Sequence, residues 1–294
     1  MVNIGIFQVV ADRTADPAIV AKRVEELGFH SYWLGDHTIY PVVNEDLYPR
    51  LEEVEEPSYL PYIGDPLMAL ARAGAVTDRI KLGTAICLVA ERNPILLAKQ
   101  VATLDDHTGG RVLLGVGGGW NRAQCEILGG DFDRRWAHVR DHVHAMKALW
   151  TDDPSSYEGR YASFPPVRCF PKPVSSPHPP ILLGSNGTST SFKRVAGWGD
   201  GWMPHSIESA ESYADGVATI RELAGEAGRD VDALQFSVVA TEGQYRTADE
   251  ILALGAAGAD RVNIWLLEAD LDGILRELDE LAVVQRDVTA ATRA

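Results

Sequence analysis

Short apolar runs alternate with longer segments of helical period along most of the chain. The apolar runs occupy residues 3–10, 31–36, 80–87, 111–117, 180–185, 200–204, 234–241 and 261–266. Short runs of branched apolar residues bounded by turn-forming residues predict buried strands. Between these runs apolar residues recur at intervals of three and four, as in Val20, Val24 and Leu27, which predicts amphipathic helices. The pattern therefore predicts eight strands that alternate with helices.

The starts of three helices are marked by one local signal. An Asp-Pro or Asn-Pro pair stands at 16–17, 65–66 and 93–94, directly before a helical pattern. The Asp or Asn side chain can cap the helix, and proline suits the first helical position. Two further helices are predicted at 133–150 and, near the end of the chain, at 271–284.

The alternation predicts one α/β domain over residues 1–294. Strands separated by helices pair in parallel, and eight such units can close into a (β/α)8 barrel, which typically needs about 250 residues. An open, doubly wound sheet is the alternative, and the strand count and chain length favour the barrel. Two segments break the rhythm: 41–62 is predicted to be a long loop, and 151–179 an insertion after the fourth strand–helix unit, with a hairpin at 157–164.

Composition restricts the function classes. The net charge of −15 disfavours binding to nucleic acid or to an anionic membrane surface. Three widely spaced cysteines and the absence of a signal-peptide pattern or a long apolar span lead us to expect a cytoplasmic protein without disulfides. The histidines, including His138 and His142 at helical spacing, lack a metal-binding motif, so no metal site is expected.

Candidate chemistry lies where the predicted strands end, because barrel enzymes build their sites at the carboxyl ends of strands. Asp36 and His37 follow the second strand, and His37 is either a proton-transfer group or an ordinary hydrogen-bonding loop residue. The glycines at 115–119 either admit a flat ring or phosphate or form a tight turn. Trp120 stands where a Rossmann loop needs its last glycine, so that fingerprint fails. Residues 184–191 either bind phosphate or cap a helix.

Five stretches together resemble the luciferase-like monooxygenase family, in particular its coenzyme F420-dependent oxidoreductases. They are "YWLGDH" (32–37), "LGTAICLVAERNP" (82–94), "GRVLLGVGGGWN" (110–121), "PPILLGS" (179–185) and "GDGWMP" (199–204). The resemblance covers nearly the whole chain. It implies a (β/α)8 barrel that holds a flavin or deazaflavin at its mouth.

The resemblance also implies roles for single residues. His37 corresponds to the catalytic histidine beside the cofactor ring. The bulge in the third strand is implied to contain a non-prolyl cis peptide at Ala85–Ile86. The residues implied to bind the cofactor are Asp36, Thr84, Ala85, Ile86, Gly117, Gly118, Gly119, Gly184, Ser185 and Asn186.

The function implied by the resemblance is hydride transfer between F420 and a small organic substrate. The alternatives are an FMN-dependent monooxygenase or a barrel that binds flavin or deazaflavin without catalysis. We also expect a homodimer and a reductase partner. In the family's sugar-phosphate dehydrogenases a catalytic glutamate follows the glycine loop, and here Trp120 takes that place. Trp120 is therefore expected to form an apolar pocket wall for a less polar substrate. Trp120, Trp198 and Trp202 are each either part of such a wall or part of the core.

Overall fold

Eight parallel strands close into a barrel in the computed structural model, which describes residues 2–12, 14–42, 59–205 and 207–293. The barrel strands are β1 (Asn3–Gln8), β2 (Ser31–Leu34), β3 (Lys81–Cys87), β4 (Val112–Val116), β7 (Ile181–Leu183), β8 (Gly201–Trp202), β9 (Gln235–Val239) and β10 (Arg261–Trp265). β1 pairs with β2 on one side and with β10 on the other. The predicted barrel is therefore confirmed, because an open sheet would leave β1 or another strand at an edge.

Helices connect the strands. They are α1 (Pro17–Glu26), α2 (Pro66–Gly74), α3 (Pro94–His107), α4 (Arg122–Ile127), α5 (Arg135–Thr151), α6 (Ser189–Trp198), α7 (Ala210–Glu226), α8 (Ala248–Ala256) and α9 (Leu271–Arg293). Single 3-10 turns form at Leu60–Tyr62 and Val89–Glu91. Most of the loop predicted at 41–62 lies outside the described residues, and its last residues form the first of these turns. No helix in the described ranges is long and apolar enough to cross a membrane.

The predicted caps start α1, α2 and α3. Asp16 accepts a hydrogen bond from the Ala18 amide, and Asp65 and Asn93 each accept bonds from two amides of the first turn. A capping side chain typically contributes about 1 kcal/mol because it satisfies amides that have no partner within the helix. These starts are encoded locally, so the sequence places them correctly.

The core has two layers, as a parallel barrel requires. Apolar side chains on the outer face of the strands pack against the helices. Inside the barrel a second cluster contains Phe7, Trp33, Leu113, Leu182, Met203 and Val239. Because both faces of each strand are covered, the strands read as nearly continuous apolar runs.

The predicted insertion contains an antiparallel hairpin formed by β5 (Ser155–Glu158) and β6 (Ser163–Val167). Asp141 of α5 fixes it: its carboxylate accepts hydrogen bonds from the Tyr157 hydroxyl and from the Tyr161 and Ala162 amides. The hairpin is thus fastened to the outside of the barrel wall.

Candidate active site

Ile86 brings three of the predicted cofactor-binding segments into contact. A Cβ atom at Gly117 would lie 2.3 Å from Ile86 Cδ1, and one at Gly184 would lie 2.4 Å from Ile86 Cγ2. Both distances are far below van der Waals contact, so the Ile86 side chain fits only because both positions are glycine. The bulge in β3, the loop after β4 and the end of β7 therefore meet at one place.

The bulge itself has the predicted form. Thr84 pairs with Leu114 and Cys87 with Val116, so the register shifts across Ala85 and Ile86. The peptide bond between Ala85 and Ile86 is cis, as the resemblance implied. The buried Thr84 hydroxyl donates to the Gly115 carbonyl at 2.7 Å, so its proton is used within the barrel wall.

Aromatic rings lie at the ends of β1 and β10. Phe7 and Trp265 pack edge to face with ring centroids 5.0 Å apart, and His205, after β8, lies 6.1 Å from Trp265. The tip of the Phe7 ring reaches to 3.5 Å from where a Cβ of Gly35 would stand. These contacts connect the aromatic rings with the loop that carries His37.

Asp36 has hydrogen-bond partners at both carboxylate oxygens. The Arg92 guanidinium contacts both of them, at 2.8 and 3.1 Å, and the Leu88 amide donates to one at 3.0 Å. Burial would lower the pKa of Arg92, but the hydrogen bonds and charge of Asp36 outweigh it and raise that pKa. Asp36 therefore fixes the loop after β2 to the segment after β3.

His37 stands at the start of a chain of side-chain hydrogen bonds. Its Nδ1 lies 2.8 Å from Gln124 Oε1 on α4, and Gln124 Nε2 donates to Glu91 Oε2 at 2.6 Å. The His37 ring also packs edge to face on Trp120, with centroids 5.4 Å apart. His37 is half-buried, whereas Gln124 and Glu91 are buried. The ring is thus oriented from one side and remains accessible from another.

Glu91 is unusual because it is buried beside a second carboxylate. Burial raises the pKa of Glu91 to about 7, against the opposing effect of the Gln124 hydrogen bond, and the Asp36 charge adds to the rise. Its other oxygen, Oε1, lies 3.3 Å from the position that a Cβ of Gly119 would occupy. Gly119 has φ +72°, a conformation that favours glycine. The glycine run therefore touches Ile86 at Gly117 and the Glu91 carboxylate at Gly119.

Three polar side-chain atoms around the glycine run have no hydrogen-bond partner in the described part of the chain. Asn121 Nδ2, Arg135 Nε and Ser185 Oγ are buried and have no hydrogen-bond partner among the described residues. The stem of Arg135 packs on Gly118, whose Cβ would stand 3.1 Å from Arg135 Cγ. Buried donors normally find partners, so these atoms indicate room for a polar ligand.

A second guanidinium reinforces the positive charge near Arg135. Arg194 of α6 lies over the Trp136 ring, 4.7 Å from its centroid. Burial lowers the pKa of Arg194, and the nearby charge of Arg135 lowers it further. Neither arginine takes part in an ion pair between described residues. Ser185 and the exposed Asn186 precede α6, the helix that carries Arg194.

Trp202 belongs to the core, and Trp198 lies at the end of α6. Trp202 is buried between the strands and the helices, stacked on Tyr213 at 5.1 Å, and its Nε1 donates to the Ser185 carbonyl. Trp198 ends α6 and packs near His144. For Trp202 the structure selects the core alternative, because its side chain points out of the barrel toward α7. Trp120 packs on His37.

Several functional candidates were missed by the sequence reasoning. Phe7 and Trp265 could have been identified, because each stands at or near the carboxyl end of a predicted strand. The charged pair at 91–92 directly after the third strand was also visible in the sequence. Gln124 and Arg135 carry no local signal, since only the folded barrel brings them to the glycine run.

Other features of the described residues do not point to a second site of this kind. No cluster of three or more histidine, cysteine or acidic side chains that could hold a metal is found among them. A cavity of about 520 Å³ opens at the opposite, amino-terminal end of the strands, beside Lys81, Asp260 and Arg261. In barrels of this type that end serves stability rather than chemistry, so the mouth remains the candidate site.

Proteins with similar sequences include enzymes that use F420 and enzymes that use FMN. An uncharacterised protein of Mycobacterium tuberculosis is 37% identical over 230 residues, which cover 77% of this chain and 79% of that protein. An F420-dependent glucose-6-phosphate dehydrogenase of Nocardia farcinica is 36% identical over 56% of this chain and 50% of its own length. An FMNH2-dependent dimethylsulfone monooxygenase of Pseudomonas putida is 31% identical over 63% of this chain and 51% of its own length. Relatives therefore include both cofactor types.

Solved structures share the fold. An F420-dependent secondary alcohol dehydrogenase in complex with an F420-acetone adduct superimposes with a TM-score of 0.77 at 19% identity, covering 98% of this chain and 99% of that one. The family model of the luciferase-like monooxygenases matches residues 11–260, which include every predicted site residue. The chain therefore belongs to the luciferase-like monooxygenase family.

Proposed function

We propose that the protein is an F420-dependent oxidoreductase that acts on a small, largely apolar organic substrate at the barrel mouth. The observation that carries the proposal is the position of the glycine run at 117–119. Gly117 contacts Ile86, and Gly119 contacts Glu91, whose side chain is hydrogen-bonded through Gln124 to His37. The 36% identity to an F420-dependent glucose-6-phosphate dehydrogenase supports the choice of cofactor. The proposal includes a homodimer, a reductase partner and a cytoplasmic location.

The residues suit a cofactor with a flat ring and an anionic tail. Ile86, Gly117 and Gly184 would hold the ring, because the glycines leave the backbone accessible. Arg135, Ser185 and the amino-terminal end of α6 would hold the phosphate, because unpaired donors and a helix start favour an anion. When bound, F420 supplies the hydride chemistry of the reaction.

His37 is proposed to move the proton that accompanies this transfer. Its Nδ1 is engaged by Gln124, so Nε2 is the nitrogen left for the substrate. A histidine exchanges protons near neutral pH, and positioned proton transfer typically contributes 10²–10⁴-fold to the rate. Trp120 and the aromatic rings of Phe7 and Trp265 would exclude water from the substrate.

A cofactor titration tests the proposal. Purified apoprotein is titrated with F420 and, separately, with FMN, and binding is followed by fluorescence or calorimetry. We expect F420 to bind at least tenfold more tightly, a difference of about 1.4 kcal/mol. Tighter binding of FMN would overturn the assignment in favour of an FMN-dependent monooxygenase, as in the Pseudomonas putida relative.

A matched variant tests the phosphate site. Arg135→Gln is expected to weaken F420 binding at least tenfold while leaving binding of the phosphate-free deazaflavin chromophore unchanged. Arg134→Gln is the control, because Arg134 neighbours Arg135 in sequence and loses the same charge. Equal weakening of both ligands would place Arg135 outside the phosphate site. Tight F420 binding without turnover on any alcohol, aldehyde, ketone or enone would favour a binding protein.

A further inference from the structure

We propose that Glu91 is a positioning residue that, through Gln124, holds His37 in the tautomer with its proton on Nδ1 and with Nε2 free. The proposal deepens the proposed function, and its role in the reaction rests on that function. The three side chains come from three separate segments, the loop after β2, the turn after β3 and α4. They form one chain with contacts of 2.6 and 2.8 Å.

The direction of the hydrogen bonds follows from what each group can donate. An ionised carboxylate only accepts, so the Gln124 amide must point its NH2 group at Glu91. The Gln124 carbonyl oxygen then faces His37 and can only accept, so Nδ1 of His37 must carry a proton. The opposite orientation of the amide would place its carbonyl oxygen against the carboxylate. A neutral His37 therefore presents Nε2 as a proton acceptor.

Burial makes this arrangement strict. Glu91, Gln124 and Asn121 are each less than a tenth exposed, and the backbone N–H of Gln124 donates to Asn121 Oδ1, which fixes the start of α4. A buried polar group without a partner costs about 1–3 kcal/mol, so the hydrogen bonds that link Glu91, Gln124 and His37 cannot easily rearrange while Glu91 is ionised.

Protonation of Glu91 would reverse the direction of both hydrogen bonds. A neutral carboxyl can donate to the Gln124 carbonyl oxygen; the amide then turns, its NH2 group donates to His37 Nδ1, and the ring proton moves to Nε2. With a pKa of about 7, Glu91 changes state near neutral pH. The groups that face it are Asp36, whose charge favours the protonated form, and Arg92, whose charge opposes it.

Two further titratable side chains from the described part of the chain, Cys125 and His142, lie on the helices near Glu91 and are neutral at pH 7. Cys125 on α4 has its pKa raised to about 11, chiefly by burial. From α5, His142 contacts the Val89 carbonyl, and burial lowers its pKa. Glu91 is therefore the group that changes state, and its effect reaches His37 through Gln124.

The tautomer of His37 can be measured without cofactor. Long-range proton–nitrogen correlation spectra of protein labelled with ¹⁵N-histidine distinguish the two tautomers, and His37→Asn identifies the His37 signals. Above pH 8 we expect the wild type to carry the proton on Nδ1. Glu91→Gln and Gln124→Leu should each give a mixture of tautomers. Glu126→Gln is the control, because Glu126 is an exposed residue of the same helix that pairs with Arg122.

Kinetics give the second measurement. Once a substrate is available, Glu91→Gln should lower kcat about tenfold or more with little change in KM, because positioning affects proton transfer rather than binding. In the kcat profile of the wild type we expect a contribution from Glu91 near pH 7; it should be lost in Glu91→Gln and kept in Glu126→Gln. An Nε2-protonated His37 in the wild type above pH 8, or an unchanged tautomer in Glu91→Gln, would overturn the proposal. If the tautomer responds as expected but His37→Ala keeps full turnover, Glu91 still positions His37, but His37 has no role in the reaction. The proposed function would then be the part that is wrong.

Discussion

The fit of Ile86 against two glycines makes the packing of the mouth open to a quantitative test. Gly117→Ala would place a methyl group 2.3 Å from Ile86 Cδ1, and Gly184→Ala would place one 2.4 Å from Ile86 Cγ2. The two clashes differ in kind. Cδ1 is the end of the side chain and moves by rotation about χ2, whereas Cγ2 is attached to Cβ and moves only if χ1 or the backbone changes.

The expected costs follow from this difference. Overpacking typically costs 1–3 kcal/mol, so we expect about 1 kcal/mol for Gly117→Ala and about 2–3 kcal/mol for Gly184→Ala. Ile86→Val removes Cδ1 and keeps both branches at Cβ, and by itself it should cost at most about 1 kcal/mol, since Ile86 is only half-buried. In the Ile86→Val background the cost of Gly117→Ala should fall by about 0.5–1 kcal/mol, while the cost of Gly184→Ala should stay the same.

Urea unfolding of the wild type, the three single variants and the two double variants gives both coupling energies. Thermal unfolding provides a second readout, since 1 kcal/mol corresponds to roughly 2–4 °C in proteins somewhat smaller than this one. F420 affinity should fall in the same order as stability, because Ile86 lies between the two segments proposed to hold the ring. Equal coupling of Ile86→Val to both alanine variants would refute the assigned contacts, and no coupling to either would show that Ile86 does not fill this space.

Three further outcomes are expected. His37→Ala should lower kcat by roughly 10²-fold or more and leave F420 binding nearly unchanged in titrations, and His37→Asn should remain slow if proton transfer rather than positioning limits the rate; full activity in His37→Ala would exclude the residue from the chemistry. Folding raises the pKa of Glu91 from its ordinary value near 4.5 to about 7, so its favourable contribution to stability is complete below pH 4.5 and is lost as pH rises through 7. Between pH 5 and pH 8 the stability of Glu91→Gln should therefore rise relative to that of the wild type, by about 1–3 kcal/mol. A stability difference in urea unfolding that does not change with pH would contradict this. Arg92→Met should cost about 3–5 kcal/mol because it leaves the buried Asp36 charge without its partner, whereas Arg72→Met, at the exposed pair with Asp16, should cost much less because solvent screens that pair; similar costs for both would refute the structural role of Asp36.

The fold was encoded in local patterns. The caps at Asp16, Asp65 and Asn93 act within the first turn of their helices, and the apolar runs of the strands reflect burial on both faces. Such signals extend over a few residues and can be read directly. The strand ends were predicted less well: β2 ends at Leu34 rather than at 36, because Gly35 to His37 leave the ladder to form the mouth.

The chemistry of the site was only partly accessible from the sequence. The resemblance located His37, the bulge at Ala85–Ile86 and the glycines, because these occur in recognisable stretches. It could not supply the partner of His37, since Gln124 lies 87 residues away in sequence and Glu91 a further 33 from Gln124. Likewise, Asp36 appeared as a cofactor ligand by position, whereas its contacts with Arg92 and the Leu88 amide exist only across two strands.

The sequence by itself therefore determined the elements, their order and the closed barrel, because hydrophobic period and capping are properties of neighbouring residues. The tertiary structure alone decided which side chains meet at the mouth. Closure of the barrel brings the ends of distant strands together, and the resulting contacts depend on side-chain directions, such as that of Trp202 toward α7, that no local pattern specifies.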